Sequence, residues 1–132
     1  MSSVFTKIIL GEIPCFKIAE SADCLAFLDI NPLQKGHTLV IPKKEVDVLF
    51  DLPEREYHAL FSFVQKIARA IKSTIPCSRV GVMVIGFDVA HAHIHLIPIN
   101  STEDLDFSKK RIQLSKSEMQ EIANSIFSAV IL

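Results

Sequence analysis

Hydrophobic and polar positions alternate along the first forty residues and then change to a helical spacing. Val4 to Leu10 forms a short apolar-faced turn, and Gly11-Glu12-Ile13-Pro14 breaks the chain after it. Cys15 to Ala19 and Cys24 to Asp29 read as strands joined by the turn Ser21-Ala22-Asp23. Asn31-Pro32 and Lys35-Gly36 bracket a further turn, and His37 to Ile41 makes a third strand that Pro42 ends. Asp51-Leu52-Pro53-Glu54 then combines an acceptor side chain, an early proline and an acid, which marks a helix start. Tyr57, Leu60, Phe61, Val64, Ile67, Ala68 and Ile71 continue it at 3, 4 spacing, while Phe63 adds apolar surface away from that face. Val80 to Ile85 is a β-branched run, Gly86 opens a short connection, and His91 to Pro98 resumes a strand. Ser115-Lys116-Ser117-Glu118 is a capping-box pattern for a last helix running toward Val130. The order predicts an α+β fold in which helices cover an antiparallel sheet of about five strands.

Composition narrows the class. With 132 residues and 49% hydrophobic positions, the chain supports one packed core, so residues 1–132 are read as a single domain. Fourteen Lys and Arg against fifteen Asp and Glu leave a net charge of −1, which provides no field for a nucleic-acid polymer or an anionic membrane. Three cysteines, Cys15, Cys24 and Cys77, are too scattered for a paired metal motif and fit a reducing, cytoplasmic setting. The apolar run Ile8 to Leu10 is too short for a signal-peptide core or a membrane span.

Candidate chemistry sits in the histidines. His37, His91, His93 and His95 lie in predicted strands or strand starts, whereas His58, on the long helix, reads as an ordinary surface side chain. In His91-Ala92-His93-Ile94-His95-Leu96-Ile97 a period of two projects three imidazoles from one face and Ala92, Ile94 and Leu96 into the core. Two readings fit such a stripe. Two histidines at alternate positions chelate a transition ion with a third ligand from elsewhere, although the outer pair stands about 13 Å apart along a strand, too far for all three to share one ion. Alternatively the stripe is an anion site in which one neutral imidazole attacks phosphorus while the others hold or protonate phosphoryl oxygens.

This stretch, His-x-His-x-His followed by Leu96-Ile97, resembles the signature of the histidine triad (HIT) superfamily, closest to its phosphoramidase-like branch. The likeness extends back through Phe5-Thr6-Lys7-Ile8, Gly11 to Pro14, Ala26 to Pro32 and Gly36 to Lys43, in the right order. It implies homodimeric enzymes that bind a purine nucleotide or nucleotide derivative and cleave at the α-phosphate through a covalent nucleotidyl-histidine, using no cofactor and no metal. By position it makes His93 the nucleophile, His95 a phosphate support, and His91 and His37 orienting and proton-sharing partners. It also puts Asp29 on the ribose hydroxyls and Phe5, Ile8, Phe27 and Ile30 around the base. The sheet is then expected to be extended by dimerisation.

The chain departs from the family pattern in three places. Where several members carry Cys-x-x-Cys, it has Ser3-Val4-Phe5-Thr6, so their structural zinc site is not expected. Before the triad it has Gly86-Phe87-Asp88-Val89-Ala90 in place of an amide and a hydroxyl, which makes Asp88 a candidate for the leaving-group side. A charged carboxylate there favours an amine over a polyphosphate, and a buried one becomes a proton donor, so both routes favour phosphoramidates. From Asn100 onward no family motif is matched, and the segment is expected to supply the last helix without reaching the site. The alternatives are a catalytically weak nucleotide-binding interaction protein, a dinucleoside polyphosphate hydrolase, and a metal-binding protein using the histidine stripe.

Overall fold

The computed structural model describes residues 2–132. The Val4–Leu10 segment is a true helix, α1 (Val4–Ile9), because Ser3 caps it: its Oγ accepts from the Thr6 N–H. Five strands follow, β1 (Lys17–Glu20), β2 (Cys24–Leu28), β3 (Thr38–Pro42), β4 (Arg79–Met83) and β5 (Ile94–Ile99). They form one antiparallel sheet in the order β1-β2-β3-β5-β4. β5 inserts between β3 and β4 for a reason visible in its side chains: Ile94 to Pro98 are buried, so the strand needs a neighbour on each edge. β4 is half-exposed and takes the outer position.

The alternation of β3 divides the protein in two. Val40, with Ala26, Leu28, Ile94 and Leu96 of the neighbouring strands, faces α2 (Glu54–Thr74) and α3 (Lys116–Ala129) and forms the main core. Leu39 and Ile41 face the other way, packing with Leu25, Phe27 and the α1 residue Phe5. Each of these side chains larger than alanine contributes about 1.5–3 kcal/mol on burial, so the larger cluster carries most of the stability and frees the smaller face for a site. α3 starts at the expected capping box, in which Ser115 Oγ and the Glu118 carboxylate exchange bonds with each other's backbone.

Three expectations are corrected. Phe63 is not surplus surface on α2; it is 4% exposed and lies in the main core, because a helix buried against both a sheet and α3 needs a wider apolar face than one stripe. Asp51 does not cap α2: it closes a 3-10 turn, Leu49–Asp51, and the N-cap is Pro53, with Glu54 and Glu56 supplying negative charge in the first turn. Finally, β5 begins at Ile94, not His91, since the Ala92 N–H donates to the Val46 carbonyl (2.7 Å) and draws the preceding residues out of the ladder. His91 and His93 therefore sit on an irregular approach to the strand. Only the segment Ile94-His95-Leu96 follows the period of two expected for the whole triad.

His37 is placed by its neighbour. Gly36 adopts φ +91°, and a Cβ there would stand 3.0 Å from Ile75 Cγ1 and 3.3 Å from Pro98 Cγ, so glycine alone lets the turn pass this closely over the core before β3 starts.

Candidate active site

A cleft of about 700 Å³ opens on the smaller face of the sheet. Phe5 and Ile8 of α1 line it together with Phe27 and Ile30. Phe5 meets Phe27 edge-on with ring centroids 5.7 Å apart, and meets the His93 imidazole at 5.1 Å. Asp29, His93 and His95 supply polar lining, as does Asp88 on the connection before the triad. His37 and His91 stand behind, fully buried. All the residues expected at the site are thus brought to one region.

Backbone groups determine which nitrogen of each imidazole carries a proton. The Leu33 N–H donates to His37 Nδ1 (3.0 Å), so neutral His37 is protonated at Nε2. That Nε2–H faces His95 Nδ1 at 2.9 Å and donates to it, which leaves the His95 proton on Nε2. His93 Nδ1 lies 2.7 Å from the His91 carbonyl and must donate, so its Nε2 carries a lone pair. His91 Nε2 donates to the Pro42 carbonyl (2.8 Å), and its Nδ1 accepts from Ser3 Oγ (2.8 Å). The arrangement offers one nucleophilic nitrogen, on His93, beside one donor N–H, on His95.

Burial disfavours the charged form of three of these rings, His37, His91 and His95. It pushes His37 down to about 3, reinforced by the charges of His95 and Arg111, and His95 down to about 4, reinforced by His93 and Arg111. His91 is also lowered by burial, with the Pro42 carbonyl opposing. Asp29 moves the other way: burial raises it, against the Asn31 N–H that bonds its Oδ1 at 2.8 Å. Its other oxygen lies 3.5 Å from His37 Nε2, but with a neutral imidazole this is no ion pair.

Asp29, His37 and His95 each present one ligand atom, all within 4.8 Å, an N,N,O set of the kind transition metals accept. The ring nitrogens concerned already share a proton, and no buried side-chain polar atom among the described residues lacks a partner. This set differs from the chelate expected from the stripe, because His95 pairs with His37 and not with its neighbour in sequence.

The structure adds residues that the pattern did not indicate. Where a zinc site was not expected, Ser3 and Thr6 bond instead to Glu45: its Oε1 accepts from the Ser3 N–H (2.7 Å) and the Thr6 hydroxyl (2.6 Å), which holds the carboxyl down at about 2. Through Ser3 this clasp reaches His91. Ser3 and Thr6 were visible in the sequence, but nothing there distinguished Glu45 from other surface acids. The segment after β5 also differs from expectation, since Phe107 and Arg111 line the cleft. Their contacts are long-range, and no periodicity announces them. Asp88 is exposed, so the burial required for a proton-donating role is absent and its charge is what remains. His58 lies on the surface near Glu54, as expected.

The site is thus an α+β sheet carrying backbone-anchored imidazoles beside an apolar cleft. The HIT domain family matches residues 10–102, and the chain belongs to that family. It is 35% identical to the adenosine 5′-monophosphoramidase of Schizosaccharomyces pombe over 98% of this chain and 99% of the relative. An adenylylsulfatase of Arabidopsis thaliana is 33% identical over 96% of this chain and 66% of its own length. Among solved structures, a Hit-like protein of Bartonella henselae superposes with a TM-score of 0.86 at 33% identity, covering 98% of this chain and 96% of the other.

The buried imidazoles generate a pH prediction. His37 and His95 stay neutral when folded but take up protons near pH 6.5 when unfolded, so the unfolded state binds more protons between about pH 4 and 6.5. Stability is therefore fully present above pH 6.5 and lost as pH falls through that window. Urea midpoints should drop by an amount equivalent to roughly 2 kcal/mol between pH 7 and 5.5. The drop should shrink in His37→Gln.

Proposed function

We propose that the protein is a cytoplasmic, homodimeric nucleoside phosphoramidate hydrolase or nucleotidyl transferase that acts through a covalent nucleotidyl group on His93. The observation that carries this reading is the 2.7 Å bond from His93 Nδ1 to the His91 carbonyl, which in the neutral ring leaves the lone pair on Nε2 and so suits it to act as a nucleophile. The phosphoramidase and adenylylsulfatase names of the two relatives support the same class of chemistry. Three free thiols fit a reducing compartment, and among the described residues no helix is long and apolar enough to cross a membrane.

A purine base inserts among Phe5, Ile8, Phe27 and Ile30, and the Asp29 carboxylate accepts from the ribose hydroxyls. His93 Nε2 forms a bond to the α-phosphorus as the phosphorus–nitrogen bond of the substrate breaks. The His95 Nε2–H stabilises a phosphoryl oxygen. The leaving nitrogen takes a proton from water and departs as an amine, drawn by the Asp88 carboxylate. A second water attacks phosphorus and gives its proton to the hydroxide left by the first, breaking the bond to His93 Nε2, releasing the nucleoside monophosphate and restoring His93. His91 and His37 fix the tautomers and do not touch the substrate. Homodimerisation is supported by the outer strand β4, whose free edge continues into exposed Val84 and Ile85 and carries exposed Val82.

Three outcomes test the reading. Intact mass spectrometry during turnover of adenosine 5′-phosphoramidate should detect a nucleotidyl adduct that persists in EDTA. His93→Ala should abolish the adduct and lower kcat on the order of 10⁴-fold while AMP still binds. An adduct on His91 or His95 would overturn the assignment, and EDTA-sensitive turnover restored by a transition ion would favour the metal reading.

On the leaving-group side, phosphoramidates should be cleaved faster than dinucleoside polyphosphates, and Asp88→Ser should narrow the ratio of the two kcat/KM values. An unchanged ratio returns Asp88 to an ordinary turn residue. Light scattering at micromolar concentration should give twice the 14.7 kDa chain mass, and Val82→Lys should shift it toward the monomer.

A further inference from the structure

The segment after β5 does not lead directly to α3. It passes through a 3-10 turn, Thr102–Leu105, and then returns across the cleft. Three bonds tie it to the loop between β2 and β3: the Ile112 N–H donates to the Pro32 carbonyl (3.0 Å), Arg111 Nη1 donates to the Asn31 carbonyl (2.8 Å), and Gln34 Nε2 donates to Asp104 Oδ1 (3.5 Å). The guanidinium carbon stands 5.1 Å from the centroid of the Phe107 ring, in cation–π contact. Phe107 in turn meets His95 edge-on at 4.9 Å and His37 at 6.1 Å. Arg111 is thus held by a carbonyl and an aromatic face beside the imidazole pair.

The charges around the cleft give this placement meaning. Asp29 and Asp88 line it, and Arg111 is the sole Lys or Arg among the described lining residues. His37 and His95 are neutral at physiological pH, so they bring no compensating charge. A nucleotide phosphate entering here meets two carboxylates and one cation. Arg111 forms no ion pair with an acid among the described residues, and its bond to Asn31 uses one of five N–H donors. Its field already reaches the groups around the cleft, favouring ionised Asp29 and disfavouring protonated His37 and His95.

We propose that Arg111, oriented by Phe107 and the Asn31 carbonyl, is the anion-binding residue of the site, its guanidinium engaging the α-phosphoryl oxygens of a bound nucleotide. The inference rests on the nucleotide reading above and adds a specificity determinant from a segment outside the triad. A planar fork of donors suits two phosphoryl oxygens at once, and stacking on Phe107 restricts its orientation before the ligand arrives.

Calorimetric titration of AMP and adenosine into the full chain separates the possibilities. Arg111→Gln should weaken AMP about 10- to 100-fold while changing adenosine less than about twofold. Arg111→Lys, which keeps the charge but loses the fork, should recover part of the loss. Equal losses for AMP and adenosine would make Arg111 a support for the loop and overturn the proposal, as would a lysine variant no better than glutamine. If the unaltered protein binds neither ligand, the nucleotide reading itself fails; if it binds AMP with the same preference over adenosine in Arg111→Gln, only this inference fails.

Discussion

The N–H of Leu33 points at Nδ1 of His37, and this one backbone donor decides where the protons of two buried imidazoles reside. Were His37 to carry its proton on Nδ1, the two groups would oppose each other inside the protein, and His95 would lose the donor that fixes its own tautomer. A buried polar group left without a partner costs about 1–3 kcal/mol, so the alternative proton arrangement is disfavoured without any ligand present. The glycine turn before His37 and the register of β3 against β5 both serve this contact, since they set the distance between a ring just before β3 and one on β5. Site and fold meet at that point.

The sheet lets a neutral, polar cluster exist inside a protein that otherwise buries hydrocarbon. One face carries the large apolar core with α2 and α3, and that side supplies the surplus stability against which uncharged imidazoles are held. The other face has a small cluster, a short helix and a cleft. Burial lowers the proton affinity of His37, His91 and His95, while the His91 carbonyl accepts from His93 Nδ1 and so orients that ring. The acidic clasp at Glu45 sits outside this dry region, where hydrogen bonds and not burial set its charge.

Much of this was legible because it depends on local rules. Strand alternation at β2 and β3, the spacing of Leu60, Val64, Ile67 and Ile71, and the box at Ser115 each announce themselves within a few residues. The likeness of the triad and of the blocks before it to a known family pointed to His37, Asp29 and the aromatic lining. What escaped depends on tertiary contact. Ala92 is drawn to Val46 and removes two histidines from the strand; Phe63 is buried because α3 packs beside α2. Glu45, Phe107 and Arg111 are ordinary surface residue types until the chain returns them to the cleft, and no periodicity encodes a return.

The bonds at Leu33 and at the His91 carbonyl are local, but three others around the imidazoles join distant parts of the chain: Pro42 and His91 are 49 positions apart, His37 and His95 58, and Ser3 and His91 88. Contacts of such separation require large loops to close and belong to late stages of assembly. A partly organised chain can hold α2 as a helix and still present four histidines whose rings tautomerise freely, as in any peptide. The proton arrangement of His37, His91 and His95 is then a property of the completed topology. A cut anywhere between residues 42 and 91 would therefore separate two pieces, neither of which holds both partners of any of these three bonds.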